Sequence, residues 1–222
     1  MHGKGQALPA GWGGNYLPTV LPPLVYFGVA TLADARSYGY RLPEPDPTTT
    51  AHAPTVPQNV LTAFYGTPSD TSTGCLHQAV VTLNIDQATE AYSFVQTLRL
   101  QAITQTRQDS GLKAANTAWS TCMKAAGYDY PNPLTASQDK TLLGRGLPTP
   151  PGAALPPPSP IEKHVATIDV TCKQKTDYEQ TYTRILAGHQ RQLIEANTAG
   201  LQHVLTEWQD VLHEAAITTA RT

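Results

Sequence analysis

From residue 74 onwards, apolar side chains recur every three or four positions, the spacing of one face of an α-helix. The pattern first runs from Leu76 to Leu83 and resumes after Asp86. A further helix is expected after Asp109, a residue type that commonly caps helix N-termini. We expect the two helices within residues 86–126 to pair as an antiparallel hairpin.

A longer helical pattern begins at Ser159, in the sequence SPIE. This sequence combines a capping serine, a proline at the first helical position and Glu162, which would complete a capping box. The apolar rhythm then continues to Ala215 without a proline, and an unbroken helix of that length would measure roughly 85 Å. Because glycine costs about 1 kcal/mol relative to alanine inside a helix, we expect a bend or break near Gly188 and Gly200.

The N-terminal part of the chain has a different composition. Residues 1–57 hold nine of the nineteen prolines, which interrupt backbone hydrogen bonding too often for long elements. We interpret them as an irregular arm with one short helix at about 24–37, and residues 58–222 as a helical domain with a proline-rich loop at 146–160. The predicted fold is all-α: a helical bundle in which the long C-terminal helix packs on the antiparallel hairpin.

Composition narrows the classes of function. Only 14% of residues are charged, and 15 basic against 17 acidic side chains give a net charge of -2. The chain therefore lacks the positive field that holds nucleic acid. No apolar run reaches the roughly 18 residues that span a bilayer, so no transmembrane segment is expected. The first residues do not resemble a secretory leader, which indicates either a cytoplasmic chain or one whose leader has been removed.

Cysteine placement is the most informative chemical feature. Cys122 and Cys172 each lie on the apolar side of a predicted helix, and two facing helices would bring them together. A disulfide between them would constrain the unfolded chain by about 4 kcal/mol and would leave Cys75 as a free thiol. The alternative is three reduced cysteines in a cytoplasmic protein. No cysteine or histidine pair has the spacing of a metal site.

Two further groups of residues are candidates for binding. Four side chains share one face of the C-terminal helix and could hold a divalent metal if another ligand faced them, although a solvated face is the simpler interpretation. An aromatic platform for a ligand is a second candidate, although its tyrosines would equally suit packing on the bundle. The metal candidates are His203, Glu207, Asp210 and Glu214, and the platform candidates are Trp119, Tyr128 and Tyr130. No nucleophile, phosphate or dinucleotide motif occurs, so we predict no catalytic residue and no cofactor.

Three short motifs occur in order: Gly74-Cys75, then WSTCMKAAGYDYPNP at 119–133, then IDVTCK at 168–173. In this order the chain resembles uncharacterised secreted or lipoprotein-like proteins of actinobacteria with the pattern W-x2-C-M-x3-G-[YF]-x-[YF]-x2-P followed by D-x2-C-[KR]. The resemblance covers roughly residues 74–200. It implies export and a disulfide between Cys122 and Cys172, and it implies no activity. The chain departs from it in having neither a lipobox nor an N-terminal cysteine that would pair with Cys75.

The expected function is therefore that of a secreted or cell-envelope helical protein that binds a protein or a small ligand, rather than that of an enzyme. One alternative is an α-helical protein that self-assembles as a homo-oligomer through its C-terminal helix. The other is a metal-dependent hydrolase that uses the face from His203 to Glu214.

Overall fold

The computed structural model describes residues 28–41, 56–143 and 157–220. Within these ranges the regular secondary structure is helical, with one isolated β-bridge between Thr67 and Asp70. The all-α fold predicted from the sequence is thus confirmed. In chain order the helices are α1 (Leu32–Tyr38), α2 (Gln58–Tyr65), α3 (Cys75–Thr82), α4 (Ile85–Gln108), α5 (Ser110–Ala125), α6 (Pro133–Ser137), α7 (Lys140–Leu143), α8 (Pro160–Lys175), α9 (Tyr178–Ala196) and α10 (Thr198–Ala220), with a 3₁₀ turn at Thr71–Thr73.

The chain forms two compact units, and each is assembled from two separate stretches. Unit 1 comprises Met1–Pro54 and Ala114–Thr181, and unit 2 comprises Thr55–Lys113 and Tyr182–Thr222. The boundary predicted from the sequence at residue 57 therefore does not describe how the chain divides into these two units. The described part of the arm belongs to the core of unit 1, because α1 packs on α8 and the α1 residue Ala35 is fully buried.

The helix predicted at about 24–37 does not run continuously through the described part of the arm. There α1 starts at Leu32, and Gly28 has a positive φ of 80° that a helix cannot contain. Thr31 is extended, and its side chain accepts a hydrogen bond from the Asp34 amide at 3.1 Å. The helix start is therefore fixed by a capping threonine. Residues 24–27 lie outside the described residues.

In unit 2, α3 packs against α2 and α4, and α4 packs along α10. A left-handed residue, Asn84 with φ 51°, separates α3 from α4. The break that the pattern places between Leu83 and Asp86 is therefore present. The antiparallel pairing of the two helices within 86–126 stays a prediction.

The long C-terminal pattern does break, but at other residues than predicted. It forms α8, α9 and α10, with breaks at Thr176–Asp177 and at Asn197, whereas Gly188 and Gly200 lie inside helices. Asp177 is left-handed with φ 49°, and the Asn197 side-chain amide donates to the Leu193 carbonyl at 2.7 Å. Polar residues that satisfy or redirect the backbone thus end these helices, which the apolar rhythm alone does not reveal.

Gly200 has a packing role instead. A Cβ at this position would lie 2.6 Å from a ring carbon of Phe94, so glycine permits the close approach of α10 to α4. The predicted loop at 146–160 lies largely outside the described residues. Its end is described, and the Ser159 hydroxyl accepts from the Glu162 amide at 3.1 Å, as the SPIE sequence predicts.

Candidate functional site

Unit 1 buries three charged side chains on one face of α8. Glu162, Asp169 and Lys173 are each at most 1% exposed, and their spacing of seven and four residues places them along the same side of the helix. A buried charge is strongly unfavourable unless it is paired and hydrogen-bonded. Each of these side chains therefore needs specific partners.

Asp169 lies at the centre of this buried cluster. The Trp119 indole N–H donates to Oδ1 at 2.9 Å, and the Lys173 ammonium donates to Oδ2 at 2.9 Å. Lys173 also donates to the carbonyl of Val29 in the arm, again at 2.9 Å. Burial raises the pKa of Asp169 to about 6, against the lowering effect of Lys173 and Trp119. Above that pH the cluster holds a paired carboxylate and ammonium.

Glu162 joins the arm to α8. Its carboxylate accepts from the backbone amide of Tyr40 at 3.2 Å and from the Arg41 guanidinium at 3.4 Å. The capping-box role expected for its side chain is therefore wrong, because the carboxylate is directed into the core. Only Ser159 performs the capping.

The Tyr40 hydroxyl is a second polar group beside Asp169. It is buried and makes no hydrogen bond of normal geometry within the described part of the chain. Burial, together with the nearby charge of Asp169, holds the pKa of Tyr40 well above its usual range. The hydroxyl is therefore protonated at neutral pH.

The predicted disulfide is present in the same unit. Cys122 of α5 and Cys172 of α8 are joined with an S–S distance of 2.06 Å, and Cys172 is 2% exposed. Cys75, in unit 2, is free and exposed as expected, and its Sγ lies 3.9 Å from the Phe64 carbonyl. The bond and the Trp119–Asp169 contact link the same two helices.

Of the two roles left open for the aromatic residues, a ligand platform or packing on the bundle, the structure shows packing. Trp119 is fully buried, because its ring packs in the core and its N–H is used by Asp169. Tyr130 is half-buried and donates its hydroxyl to Asp139 at 2.7 Å, while the Tyr128 ring lies 6.2 Å from the His164 ring, centroid to centroid. Burial raises the pKa of Tyr130 above its usual range. The two tyrosines hold the segment after α5 in place, and Trp119 offers no surface to a ligand.

The candidate metal ligands lie on α10, and no further ligand from the described residues faces them. His203 and Glu207 approach to 3.6 Å, whereas Asp210 and Glu214 are exposed. No group of three histidine, cysteine or carboxylate side chains able to hold a metal ion occurs among the described residues. Within the described parts of the chain, no second element completes a coordination sphere beside this helix face.

A histidine–carboxylate pair in unit 2 was not predicted. His189 Nε2 lies 3.1 Å from Asp109 Oδ2, and the amide of Gly111 donates to Oδ1 at 2.7 Å. The Gly111 hydrogen bond and His189 hold the pKa of Asp109 below its usual range. Asp109 caps α5 as the sequence indicates, and the contact with His189 ties α9 to that cap.

A shallow groove of about 230 Å³ lies between α3 and α10 of unit 2. Ala79, Leu83 and Ala215 contribute to its walls, together with neutral polar side chains. The volume is below the range of about 300–1,000 Å³ that is typical of sites for small ligands. The residues that line it carry no charged side chain.

The buried cluster was missed by reasoning from sequence, although a signal was present. Asp169 and Lys173 belong to the D-x2-C-K motif, and together with Glu162 they interrupt the otherwise apolar face of α8. Charged residues that recur on an otherwise apolar helix face can mean that the face was assigned wrongly, but they indicate a buried network of ion pairs just as readily.

No family model, no curated protein and no solved structure matches the chain. None of the helices described here is long and apolar enough to cross a bilayer.

Proposed function

We propose that the chain is a non-catalytic secreted or cell-envelope protein that acts by binding another protein. The observation that carries this proposal is the disulfide between Cys122 and Cys172. Disulfides form and persist mainly in oxidising compartments outside the cytoplasm. The resemblance to exported actinobacterial proteins, which rests on the residues around the same two cysteines, points in the same direction.

The use of charge in unit 1 supports binding rather than catalysis. Asp169 accepts hydrogen bonds from Trp119 and Lys173, and all three side chains are buried. Lys173 also donates to the carbonyl of Val29 in the arm. These groups fix the position of α8 relative to α1 and α5. In this scaffold the charged atoms of Asp169 and Lys173 are already used by internal bonds.

Large apolar side chains on the surface of unit 2 support a protein as the partner. Where exposed apolar side chains form a large contiguous patch, that patch commonly marks a contact with another macromolecule. In unit 2 they are found on α2, α3, α4, α9 and α10. The exposed residues are Tyr65, Leu76, Val81, Tyr92, Leu100, Ile194, Leu205 and Leu212.

The exposed thiol of Cys75 provides a test of location. Intact cells that produce the protein are treated with a membrane-impermeant maleimide, and the labelled protein is then identified by mass spectrometry. We expect Cys75 to be labelled in intact cells and Cys122 and Cys172 to react only after reduction. Cys75→Ser is the matched control and should remain unlabelled before reduction. Labelling of Cys75 that requires cell lysis, or three reactive thiols without reduction, would overturn the proposal.

A further inference from the structure

Two buried charged side chains of α8 hold the described part of the arm at its two ends. The Lys173 ammonium donates to the Val29 carbonyl at 2.9 Å, and the Glu162 carboxylate accepts from the Tyr40 amide at 3.2 Å. Lys173 comes later than Glu162 on α8, whereas Val29 comes earlier than Tyr40 in the arm. The arm therefore runs antiparallel to α8 and is bonded to it at two separate points.

The contact at Val29 continues to a third element, α5. Lys173 donates to Asp169 Oδ2 at 2.9 Å, and Asp169 Oδ1 accepts from the Trp119 indole of α5 at 2.9 Å. The carboxylate that holds the opposite end of the arm bonds instead to residues of the arm itself. A displacement of α5 would therefore act on the Val29 end of the arm before it acts on the opposite end.

The disulfide restrains the same contact between α5 and α8. Cys122 follows Trp119 by three positions on α5, and Cys172 follows Asp169 by three positions on α8. Since a helical turn has 3.6 residues, the covalent bond and the indole–carboxylate hydrogen bond are neighbouring links between the two helices. The disulfide thus holds Trp119, which is fully buried, beside Asp169.

Loss of the covalent bond would change what surrounds the buried ion pair. Of the two neighbouring links only the hydrogen bond from Trp119 would remain, and a hydrogen bond opens far more readily than a covalent bond. When it opens, water reaches Asp169 and Lys173. A hydrated ammonium no longer depends on the Val29 carbonyl for its hydrogen bonds, so the arm is held less firmly at that end.

We propose that the Cys122–Cys172 disulfide is a redox-sensitive latch for the arm. The bond keeps the Val29 end docked on α8, and its reduction by a dithiol releases that end while the Tyr40 end stays bound. One thiolate of the dithiol attacks Cys122, which is partly exposed, the S–S bond breaks, and Cys172 leaves as a thiolate that takes up a proton. The second thiol then displaces Cys122 as a thiol, and the reagent is oxidised to a disulfide.

The test compares hydrogen exchange at the two ends of the arm, measured by NMR on the full chain in its oxidised form and after reduction with dithiothreitol. The chain carries Cys75→Ser, so that this thiol cannot exchange with the disulfide. The Val29 end is followed through the amides of Asp34 and Ala35 at the start of α1, which both bond to Thr31.

The expected response to reduction differs between the two ends. Exchange of the Asp34 and Ala35 amides and of the Trp119 indole N–H should become faster by about tenfold or more, the size expected for loss of a hydrogen bond to a charged group. The amide of Tyr40, at the opposite end, should exchange at its former rate. So should the amide of Ala102 in unit 2, a residue that is 1% exposed.

The Trp119→Phe variant separates the latch from a general loss of stability. In the oxidised chain it removes the indole–carboxylate hydrogen bond and keeps the disulfide. Exchange at Asp34 and Ala35 should therefore already be faster, and reduction should then add little. Tyr130→Phe is the matched control, because it removes a hydroxyl that bonds to Asp139 in the same unit. This control should keep the full response to reduction.

Three results would overturn the proposal. Equal exchange at Asp34 and Ala35 in the oxidised and reduced chains would show that the disulfide does not control the arm. Faster exchange that includes the Tyr40 amide to the same extent would show general unfolding of unit 1. Effects of reduction and of Trp119→Phe that add independently would show that the indole does not transmit the change. None of these results alters the labelling of Cys75 in intact cells, so the failure of the latch and the failure of export can be told apart.

Discussion

The two units use their interiors in different ways. Unit 1 buries large and charged side chains, among them Trp119, Met123, Lys173 and Glu162, and adds a covalent bond. In unit 2, α2 and α3 have no buried residue, and α4 buries only Ala88, Ala102 and Thr106. Eight of the ten exposed large hydrophobic residues among those described belong to unit 2. Specific internal bonds therefore hold unit 1, whereas unit 2 leaves more of its large apolar side chains exposed.

The largest expected effect is in unit 1, on replacing Lys173 with methionine. Removing the ammonium leaves the buried Asp169 carboxylate without its counter-charge, and breaking a buried pair in this way costs about 3–5 kcal/mol at neutral pH. Urea denaturation, monitored by hydrogen exchange in peptides from α8, measures the loss. The loss should shrink at pH 5, where Asp169 can take up a proton.

The matched control for this change is Lys124→Met. Lys124 lies 3.2 Å from Asp129, but the two side chains are 68% and 76% exposed. Exposed pairs contribute little to stability, so Lys124→Met should leave the unfolding free energy unchanged within error. Equal stability of the two variants would contradict the structural importance of the buried pair.

Removal of the disulfide should have the next largest effect, again confined to unit 1. The cysteines are separated by 50 positions, and releasing a loop of that size costs about 4 kcal/mol in the chain-entropy model, with values of 2–4 kcal/mol being typical. A Cys122→Ala/Cys172→Ala variant should lose protection from hydrogen exchange in α5 and α8. Cys75→Ala serves as the control, and an equal loss in that variant would refute the assignment.

The pH dependence of the two units should have opposite signs. The pKa of Asp169 is about 6 in the folded chain and near 4 when unfolded, so between these values the folded chain keeps a proton that the unfolded chain releases. The unfolding free energy of unit 1 should therefore fall as the pH rises from 4 to 6, by on the order of 2–3 kcal/mol. The Asp169→Asn variant should lack this slope.

In unit 2 the relevant carboxyl is Asp109, whose pKa is lowered by the Gly111 amide and His189. A lowered pKa contributes stability that is present above the ordinary value and is lost as the pH falls below it. Hydrogen exchange of peptides from both units between pH 3 and 7 measures the two trends together. Parallel trends in the two units would contradict the prediction.

A smaller effect is expected in unit 2 from Gly200→Ala. The added methyl group would lie 2.6 Å from the Phe94 ring, and overpacking of this kind usually costs about 1–3 kcal/mol. Unfolding of α10, followed by hydrogen exchange, measures the loss. A variant as stable as the parent would show that the ring moves aside freely.

The smallest effect should have the opposite sign. Gly188 lies inside α9, and a Cβ there would meet no atom within 4 Å. Alanine should therefore stabilise the helix by about 0.5–1 kcal/mol through its better helix propensity. A thermal melt compared with the parent is sufficient, and any loss of stability would indicate a contact that the structure does not show.

Much of the architecture was predictable because helix signals are local. The starts at Asp109 and Ser159 and the break between Leu83 and Asp86 follow from the residue types found there. The bonding of Glu162 to Tyr40 joins positions that are 122 residues apart, so no local pattern indicates it. The breaks at Asp177 and Asn197 were missed because each depends on one polar residue, while the two glycines gave a stronger but misleading signal.

The candidate site was predicted only where two features pointed to the same residues. Cys122 and Cys172 had both helical placement and the motif in their favour, and they are bonded. Trp119 was a candidate both for a ligand platform and for packing on the bundle, and the structure gives it the packing role, with its N–H bound to a carboxylate 50 residues away. Burial of an indole N–H depends on which acceptor the tertiary fold supplies, and that acceptor was not recognised from the sequence.

The position of the disulfide also determines what proteolysis can do to this chain. Cys122 and Cys172 lie on either side of the proline-rich sequence at 146–160. A single cut by a protease within that sequence would leave the two fragments covalently joined through α5 and α8. The nicked protein would keep its mass on a non-reducing gel, apart from the added water, and would separate into two fragments only after reduction. After a cut in this region, the two fragments would thus stay joined until the protein enters a reducing environment.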